Sequence, residues 1–72
     1  RQTVLIHRNE RVDLEITPRS RRSYEVHRRG GRIRINGGTG RSAESWSFEP
    51  ADSAEAWTQD IRAVIRSRVL GR

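Results

Sequence analysis

Apolar and polar residues alternate with a period of two along much of the chain, then switch to a helical period near its end. Val12, Leu14 and Ile16 alternate with Asp13, Glu15 and Thr17, the signature of a strand buried on one face. Tyr24 and Val26 alternate with Glu25 and His27, and Ile33 and Ile35 with Arg32 and Arg34. Trp46 and Phe48 alternate with Ser45, Ser47 and Glu49 ahead of Pro50. Ahead of these four, Thr3–His7 predicts another strand. Its consecutive Val4, Leu5 and Ile6 imply burial on both faces or a corner between two sheets.

The punctuation between these segments predicts their connections. Arg8–Arg11 reads as a polar turn, Pro18 as a strand stop and Arg19–Arg22 as a basic connection. Gly30-Gly31 signals a two-residue hairpin, because such turns need positive φ. With these glycines at the tip, Val26 faces Ile35 and His27 faces Arg34, so apolar meets apolar and polar meets polar. Asn36–Ser42, rich in glycine, reads as a flexible loop.

From residue 52 the period becomes helical. Asp52 is an expected N-cap, with Glu55 three residues on in capping-box position. Trp57, Ile61, Val64 and Ile65 fall at i, i+4, i+7 and i+8, one apolar stripe. Arg66 and Arg68 near the end suit the helix dipole, and Gly71 suits a stop. The expected architecture is α+β and mainly β. A meander of about five antiparallel strands within residues 3–49 forms a curved sheet or partial barrel, capped by one helix over residues 52–70. Trp57 and Ile61 are expected to pack on Trp46, Phe48, Ile33 and Ile35.

Length and composition limit what such a chain can be. Its 72 residues have room for one domain spanning 1–72, with one modest core. It starts at Arg1 rather than Met, which reads as a domain of a longer protein or a processed chain. It has no Cys, hence no disulfide and no thiolate metal site. That fits a cytoplasmic setting, peripheral to a membrane if a headgroup is the ligand. No apolar run approaches a membrane span.

Charge narrows the partner. The 15 basic residues are all Arg, against 9 acidic ones, a formal net charge of +6. That favours acidic partners: an acidic protein surface, anionic lipid or nucleic acid. A GC-rich coding sequence accounts for the absence of Lys as readily as a need for forked donors to phosphate or carboxylate. The candidate ligand-binding residues are Arg28, Arg29, Arg32 and Arg34 around the Gly30-Gly31 tip, with Arg22 on the neighbouring loop. His27 extends this patch. Like charges so crowded repel unless an anion offsets them.

The sequence offers no enzyme chemistry. His7 and His27 are isolated, without Cys or clustered carboxylates to complete a metal shell. No nucleophile, base and orienting group come together in the pattern, so neither catalytic residues nor a cofactor are expected. The Asn36–Arg41 loop lacks the Gly-Lys-Ser/Thr ending of a phosphate-binding loop and does not lead from a strand into a helix. The aromatics Trp46, Phe48 and Trp57 fit a core better than a base-stacking surface.

The run Trp46-Ser47-Phe48-Glu49-Pro50-Ala51-Asp52-Ser53-Ala54-Glu55-Ala56-Trp57, continuing through Ile61, Val64 and Ile65, resembles the end of a pleckstrin-homology-like domain. The resemblance lies in an aromatic last strand, an Ala-Asp-Ser helix start, and a Trp followed one turn later by an apolar residue. It implies a PH-like fold and a non-enzymatic module. Such a module docks its parent protein on an acidic protein segment or an anionic lipid headgroup through an Arg-rich surface. Members of that superfold have seven strands, and the Arg8–Arg11 turn does not copy their phosphoinositide motif. The strand run followed by Ala54-Glu55-Ala56-Trp57 is also similar to single-stranded-DNA-binding coactivator modules and to the arm-binding domains of tyrosine recombinases. That likeness implies a nucleic-acid face made of Arg22, Arg28, Arg32, Arg34 and Arg41. A third expectation, carried by Val4-Leu5-Ile6, is an oligomerisation domain that pairs through a strand edge.

Overall fold

The computed structural model describes residues 7–38 and 40–71. Four strands form one antiparallel meander: β1 (His7–Thr17), β2 (Ser20–Arg29), β3 (Arg32–Gly37) and β4 (Glu44–Phe48), hydrogen-bonded in that order. Two helices follow, α1 (Ser53–Thr58) and α2 (Ile61–Leu70). Among the described residues β1 and β4 are the two edges of an open sheet. No helix among them is long and apolar enough to cross a membrane.

The central hairpin follows from its sequence. Gly30 takes φ 58° at the tip, a backbone conformation only glycine adopts without strain. Val26 pairs with Ile35 and His27 with Arg34, as the alternation predicts. At the other end of β2 the connection is far tighter than the basic stretch Arg19–Arg22 suggests. Only Pro18 and Arg19 turn, and Ser20, Arg21 and Arg22 already belong to β2.

The turn expected at Arg8–Arg11 does not exist, because β1 runs unbroken from His7 to Thr17. The segment holds no Gly or Pro to bend it, and the long β2 offers a partner at each step. Asn9 lies opposite His27, and its Oδ1 is 2.8 Å from the ring Nδ1. Arg11 donates to Ser23 at 2.9 Å and to Glu25 at 3.1 Å. These polar residues are the rungs of an exposed strand. The rest of the expected first strand, residues 3–6, lies outside the described residues, as does Thr39 of the glycine-rich loop. The count is therefore four strands rather than five among the described residues. That loop also starts later than expected, since Asn36 and Gly37 close β3, and Gly40–Ser42 forms a short 3-10 turn.

One face of the sheet carries the core. Val12, Leu14, Tyr24, Val26, Ile33 and Ile35 meet Ala56, Ile61 and Ile65 from the helices, and all nine are buried. Ile16, Trp46, Phe48, Val64 and Val69 pack around them, half-buried. Tyr24 is fully buried and stacks on Trp46, with ring centroids 6.1 Å apart. It also lies over Gly37, its cross-strand partner, where a Cβ would overlap the ring. Glycine is required there by the closeness of the aromatic, not by its backbone angles.

The expected single helix is broken. Gln59, with ψ 133°, ends α1 in extended conformation, and Asp60 starts α2 by accepting from the Ala63 N–H at 3.3 Å. Asp52 caps α1 in the same way, accepting from Glu55 N–H at 2.8 Å, while the Glu55 carboxylate reaches back to the Ala51 N–H at 3.0 Å. Each Asp satisfies a donor that a helix start leaves free. The break rotates the apolar stripe. Ala56 is the residue of α1 in the core, and Trp57 is half-buried outside that cluster. The expected seam of Trp57 against Trp46 and Phe48 is thus replaced by Ala56, Ile61 and Ile65 against the middle of the sheet.

Candidate functional site

Because strand side chains alternate between faces, parity sorts the arginines. Residues of β2 in step with Tyr24 and Val26 face the helices, and those in step with Glu25 and His27 face outward. Arg28 belongs to the first set and Arg29 to the second.

Arg28 is the clearest correction to the sequence reading. It lies opposite Ile33, only 3% exposed, on the helix-covered face. Its Nη1 donates to the Ala56 carbonyl near the end of α1, one of the acceptors that a helix C-terminus leaves free. Its Nε stands 3.5 Å from Glu10 Oε1, to which Arg8 also donates at 2.9 Å. Arg28 therefore staples α1 to the sheet and is withdrawn from solvent, not part of a basic tip.

Arg22 is separated from the tip as well. It shares the helix-side parity of Tyr24, lies at the far end of β2 and donates to Glu44 at 2.9 Å. Arg41 lines the same shallow hollow as Arg22, together with Val69. Of the five arginines expected to form a nucleic-acid face, Arg22 and Arg28 have helix-side parity, Arg32 and Arg34 face outward, and Arg41 lies in the 3-10 turn between β3 and β4.

What remains is a smaller cluster on the outer face. His7, Arg29 and Arg32 form one cross-strand row, and Asn9, His27, Arg34 and Ser47 form the next. Together His7, His27, Arg29, Arg32 and Arg34 line a hollow of about 200 Å³. Arg29 stands directly opposite Arg32, an arrangement that like charges disfavour. Arg32 is paired with Glu49 at 2.8 Å, both side chains being largely exposed. Among the described residues Arg29 and Arg34 have no carboxylate partner. His7 is the member of this cluster that sequence reasoning missed. The continuous β1 places it beside Arg29, and reading a turn at Arg8–Arg11 hid that pairing.

Farther along the same face the character changes. The third row is Arg11, Glu25, Asn36 and Ser45, whose side chains hydrogen-bond to one another and border a broad groove of about 660 Å³. Beyond it stand Asp13 and Ser23, then Glu15 and Arg21. The outer face is thus basic at the hairpin end and mixed elsewhere. Among the described residues it carries no Phe, Tyr or Trp side chain. No cluster of three or more potential metal ligands occurs among them either. Comparison with protein-family models, with curated proteins and with solved structures gives no match.

Proposed function

We propose that this chain is a non-catalytic docking module that seats an acidic segment of a partner protein on the basic end of its open sheet face. The observation that carries this reading is the opposition of Arg29 to Arg32 beside Arg34, with, among the described residues, only Glu49 to offset three guanidinium groups. A carboxylate entering the hollow relieves that repulsion and gains forked, charge-assisted hydrogen bonds. The strand-to-helix order at the C-terminal end supports reading the module as a short member of the PH-like plan.

The distribution of charge favours a discrete acidic segment over a long polyanion. A nucleic-acid backbone lying across the face would pass from the basic end to a stretch where Arg11 and Arg21 are matched by Glu25, Asp13 and Glu15. Among the described residues the face also lacks the large Phe, Tyr and Trp rings on which unpaired bases stack best. The described residues of the hairpin tip, Arg29 to Arg32, offer no apolar side chain to enter a bilayer.

Fluorescence anisotropy with a labelled hexaglutamate peptide, single-stranded DNA, duplex DNA, RNA and anionic phosphatidylserine vesicles, each at two salt concentrations, tests the reading. The peptide is expected to bind, more weakly at the higher salt. In the Arg29→Glu/Arg34→Glu variant its affinity should fall roughly tenfold or more, the equivalent of about 1.4 kcal/mol. Tight, salt-sensitive binding of DNA or RNA without the peptide would replace this reading with nucleic-acid recognition.

A further inference from the structure

The two edges of the sheet are finished differently. Along β1, Arg62 Nη1 donates to the Asp13 carbonyl at 2.8 Å, and Arg66 Nη1 to the Glu15 carbonyl at 3.3 Å. These arginines, one helical turn apart on α2, occupy carbonyls two residues apart on the strand. The helix thereby caps the Asp13–Glu15 stretch of this edge against the addition of another strand.

Edge β4 has no such cover. Among the described residues, nothing beyond β3 hydrogen-bonds its backbone, and Glu44–Phe48 contains neither Pro nor Arg. Sheet edges left bare like this are templates for pairing with another chain. α2 packs on β1 and α1 on β3, and on the helix side of this edge Trp46, with the Arg68 guanidinium of α2 6.0 Å from its ring centroid, and Phe48 are half-buried. On the outer side β4 presents only Ser45 and Ser47, with Arg34 directly behind Ser47.

We infer that the acidic segment adds to the sheet as a fifth strand along β4. The segment alternates acidic side chains on the outer face with apolar side chains on the helix side. The inference rests on the docking reading above and deepens it. Strand neighbours lie about 4.8 Å apart, so the added strand runs about 10 Å from β3. Arg34 and a glutamate opposite Ser47 reach toward each other across that small side chain. In the alternate positions, apolar side chains extend the surface of Trp46 and Phe48. Main-chain hydrogen bonds supply affinity, and the two side-chain rows supply selectivity. Charge complementarity selects this occupant over a second copy of the chain. A β4–β4 pairing would bring Ser45 and Ser47 against their counterparts and leave Arg34 without an anion.

The test uses the whole chain and four peptides: acetyl-Glu-Val-Glu-Val-Glu-Val-Glu-amide, the same sequence with alternate backbone nitrogens methylated, a block-scrambled Glu₄Val₃ isomer, and acetyl-Thr-Val-Thr-Val-Thr-Val-Thr-amide. The alternating acidic peptide is expected to bind best. It should shift the backbone amides of Ser45, Trp46 and Ser47 in NMR spectra and protect from hydrogen exchange those whose N–H points away from β3. Methylating the edge-facing nitrogens should weaken it roughly tenfold or more, because each removes a ladder donor. Equal affinity for the methylated and scrambled peptides, with shifts confined to His27, Arg29 and Arg34, would overturn edge addition and leave the docking reading standing. Binding of the threonine peptide as tightly as the acidic one, with β4 shifts, would instead overturn the acidic specificity. Protection of β4 amides in a dimer without any peptide would show that the occupant is a second copy.

Discussion

Arg28 and Arg29 are neighbours in the chain and opposites in the structure. Arg28 lies on the helix-covered face, where its guanidinium holds the Ala56 carbonyl and faces Glu10. Arg29 lies on the open face, opposite Arg32 and His7, without a carboxylate among the described residues. The same contrast runs through the whole sheet. On one face, charge is rare and neutralised within the molecule, because burying an unpaired charge is costly. On the other, charge costs little while water is present: Arg11 pairs with Glu25 and Arg32 with Glu49, and among the described residues Arg29 and Arg34 are left for a partner. Residue type alone does not distinguish a structural arginine from a functional one, whereas strand parity does.

Five substitutions, in three steps, probe this contrast. The largest effect is expected from Ile35→Ala, which empties a fully buried site between Val26 and the helices. It should cost about 3 kcal/mol in urea unfolding, against a change within about 0.5 kcal/mol for Arg34→Ala one residue away on the open face. Comparable losses at the two positions would mean that the faces are not as different as their burial implies. Next come paired variants of the two arginines. Arg28→Met leaves the Ala56 carbonyl without its donor and should cost about 2 kcal/mol, while Arg29→Met should leave stability unchanged within about 0.5 kcal/mol. The reverse ranking would place the structural role on the wrong arginine. The smallest effect on stability is expected from Glu49→Gln. Its pair with Arg32 is exposed, and such pairs contribute at most about 1 kcal/mol. Because the variant frees a guanidinium on the open face, hexaglutamate should bind it more tightly than the unmodified chain. Weaker binding would show that Glu49 helps to shape the site.

Much of the fold was legible because it depends on local rules. The period of two in Tyr24–His27 and Arg32–Ile35, with glycines between them, leaves one register that keeps apolar residues together. Asp52 and Glu55 mark a helix start for the same local reason. Other features were hidden. Arg8–Arg11 is as polar as a turn, and only the length of β2 on the far side shows it to be strand. Gln59 and Asp60 carry no glycine or proline to announce a break, although Asp60 is a good cap once α2 exists. Arg28 was half legible. The predicted register already set it opposite Ile33 on the inner face, yet its charge suggested solvent. Its acceptor on α1 is distant in sequence, so no local pattern identifies it.

By itself the sequence determined the strand faces, the central hairpin, the helical tail and the excess of positive charge, since each follows from spacing, turn chemistry or composition. Tertiary structure decided which guanidinium groups remain available, because that depends on which carbonyls and carboxylates the folded chain brings within reach of each. It also decided that α2 covers the Asp13–Glu15 stretch of one sheet edge and, among the described residues, leaves the backbone of the other edge bare. Residues 13 and 62, and 15 and 66, meet only when a helix from the end of the chain lies along its first strand. Contacts between such distant segments exist only in the folded chain.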